Sequence, residues 1–290
     1  GLDEVFQGAS VDVYQRQVKH RARRGVEGAH VGGVVDDDVA PVLGYRQAPH
    51  MRLTCGDTSR RQRGVDAHYV GHPLLDSVRV STTPAEFCLA HGIPQSARRV
   101  CLLPGSRKSE IGFLLPKFIE AARMLQHGSH EDMVFLLPLA STLSEKDLLE
   151  NGLAGAADVN LRVVLGQRYE VMAACEAAIA ASGTVTLELA LLDIPMVVSY
   201  RLSPLTYHLG RMLVKLDHFS LVNLIAGSGV VPELLQDAAT PQALAAGVLD
   251  WMGSPQKAQA LGERFMTLHH ELRRDTAQLA TDAIEKVLAR

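Results

Sequence analysis

Five short apolar runs, each closed by a turn, constrain the fold of this chain more than any other feature. They are "VCLLP" (100–104), "MVFLLPLA" (133–140), "LRVVLG" (161–166), "AAIAAS" (177–182) and "PMVVSYR" (195–201). Strands that are apolar at nearly every position must be covered on both faces, which is the situation of a parallel sheet. The segments between them, "FLLPKFIEAARMLQ", "SEKDLLENG", "RYEVMAACE" and "TVTLELALLD", carry helical spacing. Pro116 is tolerable in the first of these only near its opening turn, and in the second Ser144 is the expected cap with Gly152 as the stop. Alternation of this kind predicts a doubly wound α/β domain over residues 98–254. The later helices, "TPQALAAGVLDWM", "PQKAQALGERFMTLHHELRR" and "DTAQLATDAIEKVLAR", have no strand left to cross to. They are expected to pack across the outside or against another domain, with residues 255–290 forming a C-terminal helical segment.

The first 68 residues have a different texture. They hold three leucines against 37 in residues 69–290, and nine arginines against one lysine. Without long apolar runs this segment is expected to build no core of its own and to be poorly ordered. Its Asp36–Asp38 run reads as a solvated turn rather than a metal site, because no second ligand cluster accompanies it. Residues 69–97 then link it to the α/β domain. A net charge of −3 gives no overall basic field, so nucleic acid is not an expected partner. Cys55, Cys88, Cys101 and Cys175 lie far apart without a C-x-x-C, which suits reduced thiols in a cytoplasmic protein better than disulfides or zinc. No run of 18 apolar residues is present to span a membrane. The start lacks a Met and a signal-peptide core, so the chain is read as beginning partway through a longer protein.

In doubly wound folds, ligands bind outside the carboxyl ends of the strands, and three such ends carry anion-binding chemistry. In "PGSR", Gly105 permits a tight turn, Ser106 offers a hydroxyl and Arg107 a planar fork suited to phosphate. Glu110 either orients Arg107 or caps the next helix; the plainer alternative is an ordinary turn with a surface ion pair. In "ASGTVTLE", Ser182, Gly183 and Thr184 open a helix with free amides and two hydroxyls. Glu188, one turn on, is placed to take the two hydroxyls of a ribose, or else is a buried polar residue beside a glycine cap. The third end brings Arg201 of "SYR" and Asn223 of "SLVNLIAG" to the same cleft, or leaves both as structural residues. Three anion-friendly turns on one sheet edge are what a nucleotide diphosphate requires. Between Arg201 and Asn223, "PLTYHLGRMLVKLDHF" puts Leu205, Leu209, Met212, Leu213 and Leu216 on one helix face. His208, Arg211 and Lys215 share another, a pattern that fits either a lipid-facing helix or a core helix with a basic outer side.

Taken in order, "YVGHPLLD", "LLPGSRKSEI", "ASGTVTLELALLDIPMVVSYRLSP" and "SLVNLIAGSGVVPELLQ" resemble the lipid-A-disaccharide synthases, over residues 69–290. The resemblance implies the C-terminal, donor-binding half of a two-domain GT-B glycosyltransferase. Its reaction joins UDP-2,3-diacylglucosamine to 2,3-diacylglucosamine 1-phosphate (lipid X), giving a β-1,6 disaccharide and UDP with inversion, no metal and no cofactor. Carried onto this sequence, it places Arg107 at the diphosphate or an acceptor phosphate, Ser182, Gly183 and Thr184 at the diphosphate, Glu188 at the ribose and Asn223 at the donor sugar. Arg201 matches a "GYR"-like position, and His72 of "GHP" an interdomain segment of unassigned role. Peripheral contact with the cytoplasmic face of the inner membrane and a homodimer are compatible with it.

The family's "GEASGD"-, "SPSVWAW"- and "FPFE"-like stretches have no counterpart in residues 1–68, so the general base of the reaction has no candidate in this sequence. The compositional break ahead of "GVDAHYVGHP" suggests an out-of-frame translation joined to a genuine C-terminal half, and a chain that binds UDP weakly and transfers sugar poorly. Other readings are a non-catalytic UDP-sugar-binding fragment, a peptidoglycan-precursor glycosyltransferase and a UDP-sugar epimerase.

Overall fold

The computed structural model of the chain describes residues 74–201, 218–273 and 276–288. The Asp36–Asp38 run, Cys55, His72 and the basic amphipathic stretch from Leu205 to Leu216 lie outside the described residues. Six parallel strands form one sheet: β1 (Arg98–Leu103), β2 (Met133–Leu139), β3 (Leu161–Leu165), β4 (Ala177–Ala181), β5 (Met196–Tyr200) and β6 (Glu233–Leu235). Their spatial order is β3-β2-β1-β4-β5-β6. The chain therefore winds outward from β1 in one direction, then returns to β4 and winds outward in the other. The direction reverses between β1 and β4, where Leu103 lies opposite Ala180. The doubly wound expectation holds, and with it five of the six strands.

Short helices α1 (Leu74–Ser77) and α2 (Pro84–Ala90) precede the sheet, the latter opened by a Thr83–Glu86 capping box. Along the sheet come α3 (Lys108–Gly128), α4 (Glu145–Glu150), α5 (Arg168–Ala173), α6 (Val185–Leu191) and α7 (Leu221–Ala226). After β6 the chain continues as α8 (Pro241–Met252), α9 (Pro255–Leu272) and α10 (Thr276–Leu288). Ser144 caps α4 through a box with Asp147, and Gly152 follows with φ of 116°.

Two local expectations change. Pro116 was expected in an opening turn, but α3 begins five residues earlier, at Lys108, and encloses it. Ile111, Leu114, Leu115, Phe118 and Ile119 are all buried around the proline, so packing on the sheet holds the helix through the missing amide bond. The helix after β6 was expected on the outside of the domain. Instead α8 lies on β4 and β5 beside α3. Gly247 makes that approach possible, since a Cβ there would stand 2.6 Å from Val197 Cγ2. Trp251 anchors the far end, its indole N–H donating to the Met196 carbonyl at 3.0 Å. Helix α9 crosses α6 on the opposite face, so β4 and β5 are covered on both sides. The core follows from this: Val100, Cys101, Leu102, Phe135, Leu136, Ala178, Ile179, Ala180 and Val197 are fully buried. Cys88, Cys101 and Cys175 are buried and unpaired, and burial beside Cys101 pushes the Cys175 thiol up.

Candidate functional site

The carboxyl edge at the β1–β4 reversal collects the residues singled out in the sequence. Because β1 and β4 are neighbours in register, "PGSR" after β1 and "SGT" after β4 leave the sheet side by side. The β1 turn is held by its own glutamate. One Glu110 oxygen accepts the Ser106 amide at 3.1 Å and the other pairs with the Arg107 guanidinium at 3.0 Å. The carboxylate packs against Gly105, whose φ is 112° and where a Cβ would fall 2.3 Å from Glu110 Oε2. From the loop after β2, the Thr142 hydroxyl donates to the Ser106 carbonyl at 2.6 Å. Arg107 is thereby aimed at the edge while remaining about half exposed (48%).

The β4 turn is tied to β5, since the Ser182 amide donates to the Ser199 carbonyl at 2.9 Å. The Ser182 hydroxyl donates to the Phe219 carbonyl at 2.8 Å, which draws the segment before α7 onto the same edge. Among the described residues the amides of Gly183 and Thr184 make no hydrogen bond, so both remain able to donate to a ligand. Glu188 is buried one turn below and paired with Arg168, the first residue of α5. Burial pushes the Glu188 carboxyl up, and Arg168 offsets that only in part, so it stays above the ordinary carboxylate value. Arg168 escaped the sequence reading, although "GQR" closes β3 as "GSR" closes β1, so the strand-end rule applied once more would have found it.

Asn223 reaches this neighbourhood with its side chain fully engaged. Its amide donates to the Val231 carbonyl at 2.9 Å and to Glu233 at 2.8 Å. Its oxygen accepts from the Val230 and Val231 amides at 2.9 and 3.0 Å. The side chain shapes the loop between α7 and β6, and its polar atoms point inward. Glu233 organises the same loop: it accepts from the Phe219 amide, the Ser220 amide and hydroxyl, and Asn223. It was invisible in the sequence because β6 is a three-residue, half-buried "ELL" without β-branched or aromatic residues. Arg201, just past β5, lies with its guanidinium carbon 5.8 Å above the Phe113 ring of α3. Ser106, Arg107, Glu110, Ser182, Gly183, Thr184, Glu188 and Arg201 therefore share one edge, and Asn223 supports it from behind.

At the other end of the sheet, an open hollow of about 660 Å³ lies by the amino end of β2. Its walls include Glu131, Asp132 and Asp158, a sign of charge that repels phosphate. Among the described residues no helix is long and apolar enough to cross a membrane.

The sequence profile of a family described as lipid-A-disaccharide synthetase matches residues 60–284. A lipid-A-disaccharide synthase of Syntrophus aciditrophicus is 43% identical over 212 residues, covering 73% of this chain and 55% of its own length. One from Nitrosococcus oceani is 41% identical over 228 residues, covering 77% of this chain and 58% of its own. The chain thus spans little more than half the length of these relatives. Among solved structures, a UDP-GlcNAc 2-epimerase from Neisseria meningitidis bound to UDP-GlcNAc aligns with a TM-score of 0.53. It covers 81% of this chain and 60% of its own at 12% identity, which is a likeness of fold.

Proposed function

Because the chain belongs to the lipid-A-disaccharide synthetase family, we propose that its sheet is the UDP-sugar-binding half of a GT-B enzyme of lipid A assembly. The reaction is transfer of 2,3-diacylglucosamine from UDP-2,3-diacylglucosamine to lipid X, with inversion, at the cytoplasmic face of the inner membrane. The observation that carries this reading is the juxtaposition of the "PGSR" and "SGT" turns at the sheet's reversal point, where doubly wound folds bind nucleotides.

The chemistry follows from the groups present. As the glycosidic bond to the donor breaks, negative charge grows on the departing UDP. Arg107, held by Glu110, and the amides of Gly183 and Thr184, without partners among the described residues, are fixed before that charge develops, so they stabilise it without reorganising. A cation is not needed for that step. Glu188 offers a carboxylate to the ribose hydroxyls, with Arg168 moving aside or joining the contact. Asn223 and Glu233 act at one remove, by keeping the Phe219 carbonyl on Ser182. The base that takes the acceptor's proton is assigned to the other half of the GT-B pair.

Calorimetric titration with UDP tests the reading. The wild-type chain binds UDP, and Arg107→Ala combined with Glu188→Gln weakens it by about 10- to 100-fold, the value of one or two charge-assisted hydrogen bonds. Equal affinity in the double variant contradicts it.

A further inference from the structure

Two cations, Arg201 and Lys117, stand together on the α3–α8 face of the same edge, neither in an ion pair among the described residues. Among the described residues Arg201 makes no hydrogen bond and no ion pair, and its guanidinium stands over the Phe113 ring, itself 45% exposed. Lys117 lies four residues after Phe113 and so on the same side of α3, one turn further along. Its ammonium donates to the Ala239 carbonyl at 2.7 Å, just ahead of α8, and forms no ion pair with a carboxylate among the described residues. Burial, and then the Arg201 charge, push the Lys117 pKa down, while Asp237 opposes them too weakly to reverse the direction. A third group in β5 is also unsatisfied. Ser199 is fully buried two residues before Arg201, and its hydroxyl has no hydrogen-bond partner. By strand alternation it shares its face with Val197, the face on which α8 lies.

Like charges brought together at a part-buried position repel each other. A fold tolerates that arrangement most readily where an anion neutralises it. The groups available match one ligand chemistry: a planar guanidinium fork, an ammonium and, on the strand beneath, a hydroxyl. We propose that Arg201 and Lys117 form a phosphoryl-binding subsite on the α3–α8 side of the carboxyl edge. The turn at Ser182–Thr184 opens α6, which packs on the opposite face of β4 and β5, so the two positions flank the strand ends from different sides. The inference rests on the nucleotide-sugar reading for what the phosphoryl group belongs to: a phosphate monoester carried by the second substrate, or the nucleotide's own terminal phosphate.

Titrations of the full 290-residue chain with inorganic phosphate and with glucosamine 1-phosphate, each with and without saturating UDP, test the subsite. The variants are Arg201→Gln, Arg201→Lys and Lys117→Met, the last keeping the aliphatic stem that fills the part-buried position. The expected result is phosphate-ester binding to the wild type that Arg201→Gln and Lys117→Met weaken at least tenfold and Arg201→Lys partly restores, with unfolding midpoints unchanged. If that binding persists alongside UDP, the phosphoryl group is the second substrate's. If UDP excludes it and the same variants weaken UDP tenfold, the group is the nucleotide's. Phosphate-ester and UDP affinities that are both unmoved by the variants overturn the subsite, as does a wild-type chain that binds no phosphate ester and whose UDP affinity ignores Arg201. A wild type that binds phosphate esters through Arg201 but no UDP sinks the nucleotide-sugar reading instead and leaves the subsite standing.

Discussion

Replacing Gly105 by alanine isolates the turn on which the phosphate chemistry depends. The backbone at this position has φ of 112°, a region that L-residues enter at a cost of about 1–3 kcal/mol. The new Cβ would also sit 2.3 Å from Glu110 Oε2 and 2.9 Å from Glu110 Cβ. The oxygen belongs to a flexible chain end and will swing away, forfeiting its bond from the Ser106 amide, worth about 1 kcal/mol. The pair with Arg107 goes with it, but its partners are 48% and 27% exposed, so solvent screening leaves about 0–1 kcal/mol. The sum is a loss of about 2–5 kcal/mol, read as a lower denaturation midpoint at constant slope. Glu110→Ala removes the carboxylate but keeps its Cβ, so in that background Gly105→Ala should lose only the backbone part and the 2.9 Å contact between the two Cβ atoms, not the carboxylate's bonds. The two substitutions are therefore expected to be coupled by about 1 kcal/mol or more. A Gly105→Ala loss below about 0.5 kcal/mol, or strict additivity with Glu110→Ala, would refute the argument that Glu110 is the clamp on this turn.

Three further outcomes are expected. Glu233→Ala leaves one hydrogen of the buried Asn223 amide unpaired and frees the Phe219 and Ser220 amides, costing about 2–4 kcal/mol by thermal unfolding. A change of only a few tenths would show that the loop before β6 is held otherwise. Gly247→Ala forces α8 off Val197 and costs about 1–3 kcal/mol, and Val197→Ala added to it should recover part of that loss. In the third case Arg123 bonds both Asp158 oxygens, holding that carboxyl at about 2. Its folded pKa lies below its unfolded one, so its contribution is complete above the ordinary Asp value of 3.8 and vanishes as pH falls towards about 2. Asp158→Asn should flatten the acid limb of the stability profile in that window; an unchanged limb would count against the pair.

The doubly wound order was legible because continuous apolar strands leave few other folds open, and strand ends in such folds announce where ligands go. "PGSR" and "SGT" were found by that rule, and they do leave neighbouring strands together. Long-range pairings were not legible. Nothing local in "GQR" says that Arg168 will meet Glu188 across the edge. Nor does "SLVN" reveal that the Asn223 amide will turn inward to Glu233, thirteen residues beyond Ser220 in the chain. Asn223 is where the strand-end logic overreached: a polar residue near the edge need not face it. Pro116 shows the converse, a strong local signal overridden by the burial of its neighbours.

A crystal structure of the chain with UDP tests most directly that the β1–β4 reversal point holds the nucleotide's phosphates. The diphosphate is expected at hydrogen-bond distance from the Gly183 and Thr184 amides and the Arg107 guanidinium. UDP seated elsewhere, for instance over the hollow by Glu131 and Asp158, with those amides untouched, would contradict it.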